Sequence, residues 1–323
     1  MVTMVLESRG NDRGSSTGRE YAIAARDLVK RYGSLRAVDG LSFAVERGEV
    51  FALLGPNGAG KTTTVEMLEG YRKPDGGEVR VLGMDPLRGG KAVRERIGLM
   101  LQATALYDKI TVWEALRLFT SYYDRRRDPR ELLALVGLEE RRDARFEDLS
   151  GGQKQRLSLG LAVAGNPELV FLDEPTAGMD PQARLQTWEI VEGLRRDGVT
   201  VVLTTHYMEE AQHLADHVAI VDHGRLVAFG TPAELTGLSG SEVVTFTARD
   251  RLSASDLRDL PGVADVREPR PGVWNITTGD AIGTVAGLAG LREARGLTIE
   301  HLTVTGASLE DVFLQLTGNE VRD

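Results

Sequence analysis

Cysteine is absent from the 323 residues of the chain. This absence excludes disulfides, cysteine-ligated zinc and a catalytic thiol, and it suits a cytosolic protein. Positive charge is also in deficit, because 39 Lys and Arg residues face 48 Asp and Glu residues, for a formal net charge of -9. Nucleic acid is bound mainly through clustered Lys and Arg, so this charge disfavours a nucleic-acid partner.

Long hydrophobic runs are missing as well. No stretch approaches the roughly 18 consecutive apolar residues of a membrane-spanning helix. Residues 1–19 are polar and rich in Gly and Ser, unlike a signal peptide, in which an apolar run follows a charged start. We therefore expect these residues to form a disordered leader, and we expect that the chain neither crosses a membrane nor is secreted.

Short apolar runs after residue 20 predict the strands of an α/β domain. The later runs are continuously apolar, as expected for parallel strands that are covered on both faces. Between residues 103 and 150 the strand pattern stops, and helical spacing over 111–138 with the capping pair Thr111 and Glu114 predicts an inserted helical subdomain. The predicted strands are YAIAA, LSFAV, VFALL, LVFLD and TVVLTTH.

A second pattern begins after Leu238. Strand-like runs alternate with helical stretches near Ser253 and from Asp280. Their β-α-β-β-α-β order predicts a small ferredoxin-like α+β domain over residues 239–318, followed by a tail at 319–323. The strand-like runs are SEVVTFTA, VADVRE, GVWNITT and LTIEHLTVT.

The last predicted helix of this second domain covers residues 308–317. Ser308 and Asp311 have the spacing of a helix cap. Four apolar residues recur on one helical face, which we expect to serve in docking rather than in chemistry. They are Leu309, Val312, Phe313 and Leu316.

A glycine-rich segment, GPNGAGKTT at 55–63, directly follows the predicted strand VFALL. It fits the phosphate-loop pattern G-x-x-x-x-G-K-[ST], in which backbone N–H groups and a helix N-terminus face phosphate. Lys61 would reach the β and γ phosphates, and the Thr62 hydroxyl would bind Mg²⁺. By itself the loop indicates only a nucleoside triphosphate, held by Gly55, Pro56, Asn57, Gly58, Ala59, Gly60, Lys61, Thr62 and Thr63.

Two acidic residues lie at the end of the apolar run LVFLD: Asp173 is its last residue, and Glu174 follows directly. A carboxylate at the carboxyl edge of a parallel sheet can face a bound Mg²⁺. Because adjacent strand residues point to opposite sides, we expect Asp173 to bind the metal and Glu174 to activate the attacking water. If these two residues are considered without the other motifs, the alternative interpretation is that they simply cap the end of the strand.

The segment LSGGQKQRL at 149–157 contains a second candidate anion site. Ser150 and Gln153 have capping-box spacing, so an ordinary helix start also explains them. With Gly151 and Gly152 they leave a bare helix N-terminus suited to phosphate. Since the phosphate loop is already complete, such a site would serve the nucleotide of a second molecule.

Together these motifs resemble the ATP-binding subunit of an ABC transporter over residues 20–238. The resemblance implies that Tyr32 stacks on adenine, that Gln102 contacts Mg²⁺ or the attacking water, and that His206 contacts the γ phosphate. It also places the loop around Asp180 at the nucleotide. Taken singly, Tyr32 and His206 would more often be ordinary strand residues and Gln102 a polar loop residue, and only their occurrence together with the other motifs favours the nucleotide roles.

The C-terminal part is more narrowly similar to ABC-2 type exporters, including the daunorubicin-resistance group. The segments that carry this similarity are HYMEEA at 206–211 and SLEDVFLQLTG at 308–318. It implies an ATP- and Mg²⁺-dependent ATPase that pairs with a second copy of itself, or with a homologous subunit, around two ATP molecules. A separate transmembrane permease would be powered from the cytoplasmic face of the membrane and would export drugs or other small lipophilic molecules.

The helical insert offers a candidate contact surface for that permease. Its apolar and aromatic residues exceed what a small insert needs, although packing within the insert also accounts for part of them. The candidates are Leu106, Tyr107, Trp113, Leu116 and Phe119.

An alternative function is an ABC ATPase that moves no substrate and acts on nucleic acid or ribosomes. The acidic balance, the single ATPase domain and the absence of a basic or coiled-coil insertion weigh against it. An unrelated phosphate-loop enzyme, such as a kinase, would not need LSGGQ.

Overall fold

The computed structural model describes residues 20–101, 106–238, 240–248 and 252–317. The predicted leader, the tail at 319–323 and Gln102 lie outside the described residues. The chain divides into two compact units, the first ending at Thr231 and the second beginning at Pro232.

The first unit alternates strands and helices. In chain order it contains β1 (Tyr21–Tyr32), β2 (Leu35–Glu46), β3 (Val50–Leu54), α1 (Lys61–Leu68), β4 (Gly76–Val81), α2 (Gly90–Arg94), β5 (Ile97–Met100), α3 (Val112–Thr120), α4 (Pro129–Leu135), short 3-10 turns at Glu139–Arg141 and Phe146–Asp148, α5 (Gly151–Ala162), β6 (Leu169–Asp173), α6 (Pro181–Arg196), β7 (Thr200–Thr205), α7 (Met208–Leu214), β8 (His217–Asp222) and β9 (Arg225–Gly230).

Two sheets organise this unit. Six strands form the order β5-β6-β7-β3-β8-β9, in which every pairing is parallel except that of β8 with β9. A three-stranded antiparallel sheet has the order β2-β1-β4. The sheets share one hydrophobic core, in which the rings of Phe43 and Phe51 stack with centroids 5.1 Å apart. Every residue of β3 and β7 is buried, which confirms the predicted α/β class with central parallel strands.

The helical insert begins with a complete capping box. The Thr111 hydroxyl accepts from the Glu114 backbone N–H, and the Glu114 carboxylate accepts from the Thr111 N–H. Within the described residues 106–150 the only β pairing is an isolated bridge between Thr111 and Arg145. Residues three and four apart on α3 pack inward, as helical spacing predicts.

One member of the expected permease surface was wrongly placed. Leu116 is fully buried, because the inward face of α3 contacts α4 and α5. Tyr107 is 76% exposed, whereas Leu106, Trp113 and Phe119 are half-buried. Two exposed residues were missed, Leu118 and Tyr122.

The second unit contains α8 (Pro232–Leu238), β10 (Glu242–Ala248), α9 (Ala254–Arg258), β11 (Val263–Arg270), β12 (Val273–Thr278), α10 (Ala281–Arg295), β13 (Ile299–Gly306) and α11 (Leu309–Thr317). Its antiparallel sheet has the order β11-β12-β10-β13. The chain order from β10 to β13 is β-α-β-β-α-β. Phe246, Trp274 and Ile276 of the sheet form a core with Leu257 of α9 and Leu288 of α10.

The terminal helix α11 is capped by Ser308 and Asp311, since the Asp311 N–H donates to the Ser308 hydroxyl and the Ser308 N–H donates to the Asp311 carboxylate. Leu309, Val312 and Phe313 are buried. Leu316 is 42% exposed. It lies in the last turn of the helix, beyond the buried part of the face.

In the part of the chain that the structure describes, no helix combines the length and the apolar character needed to span a membrane.

The domain boundary can be tested by truncation. Helix α8 packs against α11, and Leu235 of α8 is fully buried. A chain ending at Thr231 should melt cooperatively by circular dichroism, because the first unit has its own core. A chain ending at Leu238 keeps α8 without α11 and should bind a hydrophobic dye more strongly. If the chain ending at Leu238 melted cooperatively and the chain ending at Thr231 did not, the predicted boundary after Leu238 would be favoured instead.

Candidate active site

The candidate site lies where three parallel strands end. The strand register pairs Leu54 of β3 with Thr205 of β7, and Asp173 of β6 with Thr204 of β7. The segments that leave these strands therefore emerge side by side at one edge of the sheet. This is the edge at which open α/β sheets bind ligands.

The loop after β3 requires glycine at specific points. Gly58 and Gly60 have left-handed backbones, with φ of 83° and 100°. A Cβ on Gly55 would lie 2.2 Å from the Val221 carbonyl oxygen, and one on Gly60 would lie 2.2 Å from that of Ala37. The loop is therefore a tight backbone cradle of the kind that binds phosphate.

Lys61 begins α1 and its ammonium group turns back into the loop. Its Nζ donates to the carbonyl oxygens of Gly55 at 2.6 Å and Pro56 at 3.2 Å. Burial lowers the pKa of Lys61, and the negative charges of Glu174 and Asp173 oppose this shift. Thr62, next along the helix, is exposed.

Asp173 is the last residue of β6. Its carboxylate accepts a hydrogen bond from the Thr204 hydroxyl. Burial raises the pKa of Asp173, whereas the bond from Thr204 lowers it. The carboxylate is therefore held in a fixed orientation at the end of β6, which β7 separates from β3.

Glu174 does not continue the strand. Its φ is 49°, in the left-handed region, so the turn sets the direction of its side chain. This differs from the sequence-based expectation that strand alternation sets that direction. Such a backbone costs a non-glycine residue about 1–3 kcal/mol and is found preferentially at functional sites. The Glu174 N–H donates to the carbonyl oxygen and to the hydroxyl of Thr204, at 3.2 and 3.1 Å, and these bonds stabilise the turn.

His206 meets Glu174 although the two are far apart in the chain. The His206 Nδ1 lies 3.3 Å from Glu174 Oε1, and both side chains are mostly buried. His206 follows the last residue of β7 rather than lying within the strand. A carboxylate and an imidazole at this distance can share a proton or orient one water molecule.

The LSGGQ segment caps α5 as expected. The Gln153 N–H donates to the Ser150 hydroxyl at 3.3 Å, and the Ser150 N–H donates to Gln153 Oε1 at 3.0 Å. A Cβ on Gly151 would meet nothing within 4 Å, whereas one on Gly152 would lie 3.0 Å from Ala183. This helix start is open to solvent in the single chain.

Two further predicted residues make local contacts. The Asp180 carboxylate caps α6 by accepting from the Ala183 N–H at 2.9 Å. Tyr32 is 41% exposed at the end of β1, and the Arg72 guanidinium lies 5.3 Å from its ring. Arg72 also pairs with Glu66 of α1, which connects Tyr32 to the helix that follows the loop. The structure thus groups Lys61, Asp173, Glu174 and His206, while Tyr32, Asp180 and the LSGGQ residues lie outside this group of contacts.

Comparison with known proteins decides the family. Residues 38–177 match the ABC transporter family. The chain is 38% identical to the daunorubicin/doxorubicin resistance ATP-binding protein DrrA of Streptomyces peucetius, over 94% of each chain. It is 39% identical to the Nod factor export ATP-binding protein I of Ralstonia nicotianae, over 96% of this chain and 98% of the relative.

The chain belongs to the ATP-binding subunits of ABC transporters. It is accordingly an ATP-binding subunit with ATPase activity. A solved ATP-binding subunit of an ABC transporter superposes with a TM-score of 0.60 at 30% identity, covering 68% of this chain and 93% of the other.

Three residues of this ABC ATPase site were not predicted. Thr204 fixes both Asp173 and Glu174, and the Gln155 side-chain amide donates to the Glu174 carbonyl oxygen at 3.4 Å. Glu69, at the end of α1, is buried near Asp173. The position of Gln155 two residues after LSGGQ was a possible signal, but Thr204 and Glu69 are identified only by the tertiary contacts.

The residues present fit a magnesium nucleotide. Within the described ranges no group of three or more His, Asp or Glu side chains could hold a metal by itself. The Thr62 hydroxyl and the Asp173 carboxylate are oxygen donors of the kind Mg²⁺ prefers, and Mg²⁺ commonly takes few protein ligands together with phosphate. The backbone N–H groups of the glycine loop beside them suit the phosphates of such a nucleotide.

Glu69 makes the stability of the nucleotide-free protein depend on pH. Burial, together with the charges of Asp173 and Glu66, raises the pKa of Glu69 from 4.5 to about 8. The folded protein therefore keeps Glu69 protonated at pH values where the unfolded chain has lost the proton, and stability falls as the pH rises toward 8. The cost at high pH is at most about 5 kcal/mol.

Glu69→Gln should remove this dependence. In EDTA, its melting temperature should exceed that of the wild type by a margin that grows from pH 6 to 8 and then levels off. Glu78→Gln, at an exposed position on β4, is the control and should show no such trend. A margin for Glu69→Gln that stays constant with pH would contradict the assignment.

Proposed function

We propose that this ABC ATPase subunit hydrolyses MgATP in sites shared by two chains and powers a separate export permease. The observation that carries the catalytic part is the 3.3 Å approach of the Glu174 carboxylate to the His206 imidazole, beside the loop that contains Lys61. Two groups capable of proton transfer thus adjoin a backbone cradle suited to phosphate.

Each group has a separate role in this proposal. Glu174 orients and deprotonates the attacking water, and His206 contacts the γ phosphate. Lys61 exchanges its loop carbonyl contacts for phosphate oxygens, while Thr62 and Asp173 hold Mg²⁺, which neutralises charge on the phosphates. We also propose that Gln102 contacts the metal or the water, and that Tyr32 stacks on adenine.

The second half of each site would come from another chain. The helix start at 150–153 is open, and its side-chain groups Ser150 and Gln153 are used to cap their own helix. The backbone N–H groups there suit the phosphate of a nucleotide bound to a partner, either a second copy or a homologous ATPase subunit. Asp180, at the start of α6, would lie in the loop that faces this partner.

The permease would dock on the helical insert. The exposed aromatic residues Tyr107 and Tyr122, with Leu118, provide apolar surface there. Such docking places the chain peripherally at the cytoplasmic face of the membrane. Because the curated relatives are named for drug resistance and Nod factor export, an exporter of drugs or other lipophilic molecules is favoured over a nucleic-acid or ribosome-associated ATPase.

We propose that the ATPase domain extends from residue 20 to the end of the first unit at Thr231, short of the boundary after Leu238 that the sequence predicts, and that the second unit is an accessory ferredoxin-like module. The separate core of the second unit supports its independent folding. Its role would be to influence dimerisation or coupling to the permease rather than to bind ATP.

Glu174→Gln tests the catalytic assignment. It should keep ATP affinity, measured by calorimetry, and slow single-turnover hydrolysis by roughly 10²- to 10⁴-fold, as expected for a lost general base. Glu209→Gln, an exposed carboxylate on α7, is a matched control that should hydrolyse ATP normally. Hydrolysis by Glu174→Gln near the wild-type rate would show that another group activates the water.

Mixed dimers test the shared site. Lys61→Ala disables the phosphate loop, and Gly151→Arg places a bulky side chain on the LSGGQ helix start without a clash in its own chain. Each variant alone should be inactive. In a mixed dimer one site combines two intact halves, so up to about half of the wild-type activity should return if sites act independently.

The same assay includes its own control. The two variants are purified through different tags, so that only verified mixed dimers are measured, with the permease present where the free subunit is slow. Mixed dimers no more active than either parent would contradict a shared site. Ser150→Arg is a less specific choice, because it also removes the helix cap.

A further inference from the structure

A buried carboxyl group lies behind the catalytic pair without belonging to it. Glu210 of α7 is fully buried. Its Oε1 accepts hydrogen bonds from the Thr176 hydroxyl at 2.8 Å and from the Trp188 indole N–H at 3.2 Å. The Thr205 hydroxyl also faces this carboxyl. None of these four residues was among the predicted site residues.

The partners of Glu210 lie on the two segments that carry the catalytic pair. Thr176 is in the turn that begins at Glu174 and is itself fully buried. Thr205 is the last residue of β7 and directly precedes His206. One carboxyl group therefore contacts both sides of the 3.3 Å approach between Glu174 and His206.

The turn that contains Thr176 is short and internally bonded. The Ala177 N–H donates to the Glu174 carbonyl oxygen at 3.2 Å, and the Met179 N–H donates to that of Thr176 at 3.2 Å. A shift of Thr176 is therefore transmitted to the backbone of Glu174. Trp188 adds a contact to α6, the helix to which this turn leads.

Packing alone does not account for a carboxyl group at this position. The donors to Glu210 are neutral hydroxyl and indole groups. The charge of Arg184 lowers the pKa of Glu210 less than the hydrogen bonds do. Burial raises the pKa of Glu210. An apolar side chain of similar volume would avoid this desolvation cost, but it could not bind the three donors.

We propose that Glu210 is a positioning residue for ATP hydrolysis, whose carboxyl joins the turn after Glu174 to the strand end before His206. It touches neither nucleotide nor water in this role. It holds the two segments at the separation at which the carboxylate and the imidazole meet. The inference rests on the roles proposed above for Glu174 and His206.

Three substitutions at neighbouring positions separate this role from simple packing. Glu210→Leu removes all acceptors and should lower kcat by roughly 10- to 100-fold, the loss expected from a misplacement of about 1 Å, with KM for ATP unchanged. Glu210→Gln keeps an acceptor oxygen and should recover most of that loss. Glu209→Gln, exposed on the same helix, should behave as the wild type.

A double-mutant cycle identifies the path of the effect. In a His206→Ala background, measured with enzyme in excess over ATP, Glu210→Leu should have little further effect, because the imidazole it positions is gone. An undiminished loss in that background would overturn the proposal. So would a rise in KM that accounts for the whole effect, or a Glu210→Gln variant as slow as Glu210→Leu.

Thr176→Val provides the test if Glu210→Leu does not fold. This change removes one donor at nearly constant volume and should lower kcat several-fold with ATP affinity unchanged. Wild-type kcat in a folded Thr176→Val protein would overturn the proposal. Glu174→Gln, run in parallel, keeps the two hypotheses apart, since normal turnover by that variant would refute the catalytic assignment and not the contacts of Glu210.

Discussion

The parallel pairing of β3, β7 and β6 is the constraint on which the site depends. Parallel strands all run in the same direction, so their carboxyl ends lie at one edge of the sheet. The pairs Leu54 with Thr205 and Asp173 with Thr204 bring the glycine loop, the acidic turn and His206 to that edge. Because both faces of these strands are packed, a register slip of one residue would exchange the side chains of the two faces and disrupt their packing. The folding energy of the sheet thereby maintains the geometry of the site.

The site is built at a cost in electrostatic and backbone energy. Burial disfavours the charged forms of Lys61, Asp173 and Glu69, and Glu174 adopts a left-handed backbone. Hydroxyl and backbone donors, with the opposite charges of lysine and carboxylate, offset part of this cost. The hydrophobic core shared by the two sheets stabilises the unit sufficiently to tolerate the remainder. The positive charge of the buried Lys61 would interact more strongly with phosphate than an exposed lysine would, which is the advantage of this arrangement for an ABC ATPase.

Features that depend on local sequence were predictable. The capping boxes at Thr111 and Ser150 follow from side chains three residues apart, and both are present. The apolar runs that predicted β3, β6 and β7 correspond to buried strands, since continuous burial leaves a direct trace in composition. The phosphate-loop pattern was equally readable, because the loop, its glycines and the start of α1 are contiguous in the chain.

Features that depend on residues distant in the chain were decided only by the tertiary structure. Strand alternation gave the wrong reason for the direction of Glu174, because Thr204, on a neighbouring strand, bonds the turn in which Glu174 lies. Helical spacing did not distinguish the buried Leu309 from the exposed Leu316 on one helix face. The sequence by itself determined the family, the order of elements and the residues that are candidates for binding and catalysis. The folded chain determined which of them meet. Contacts such as that of Glu174 with His206 arise from strand register and packing, and local sequence patterns carry no information on either.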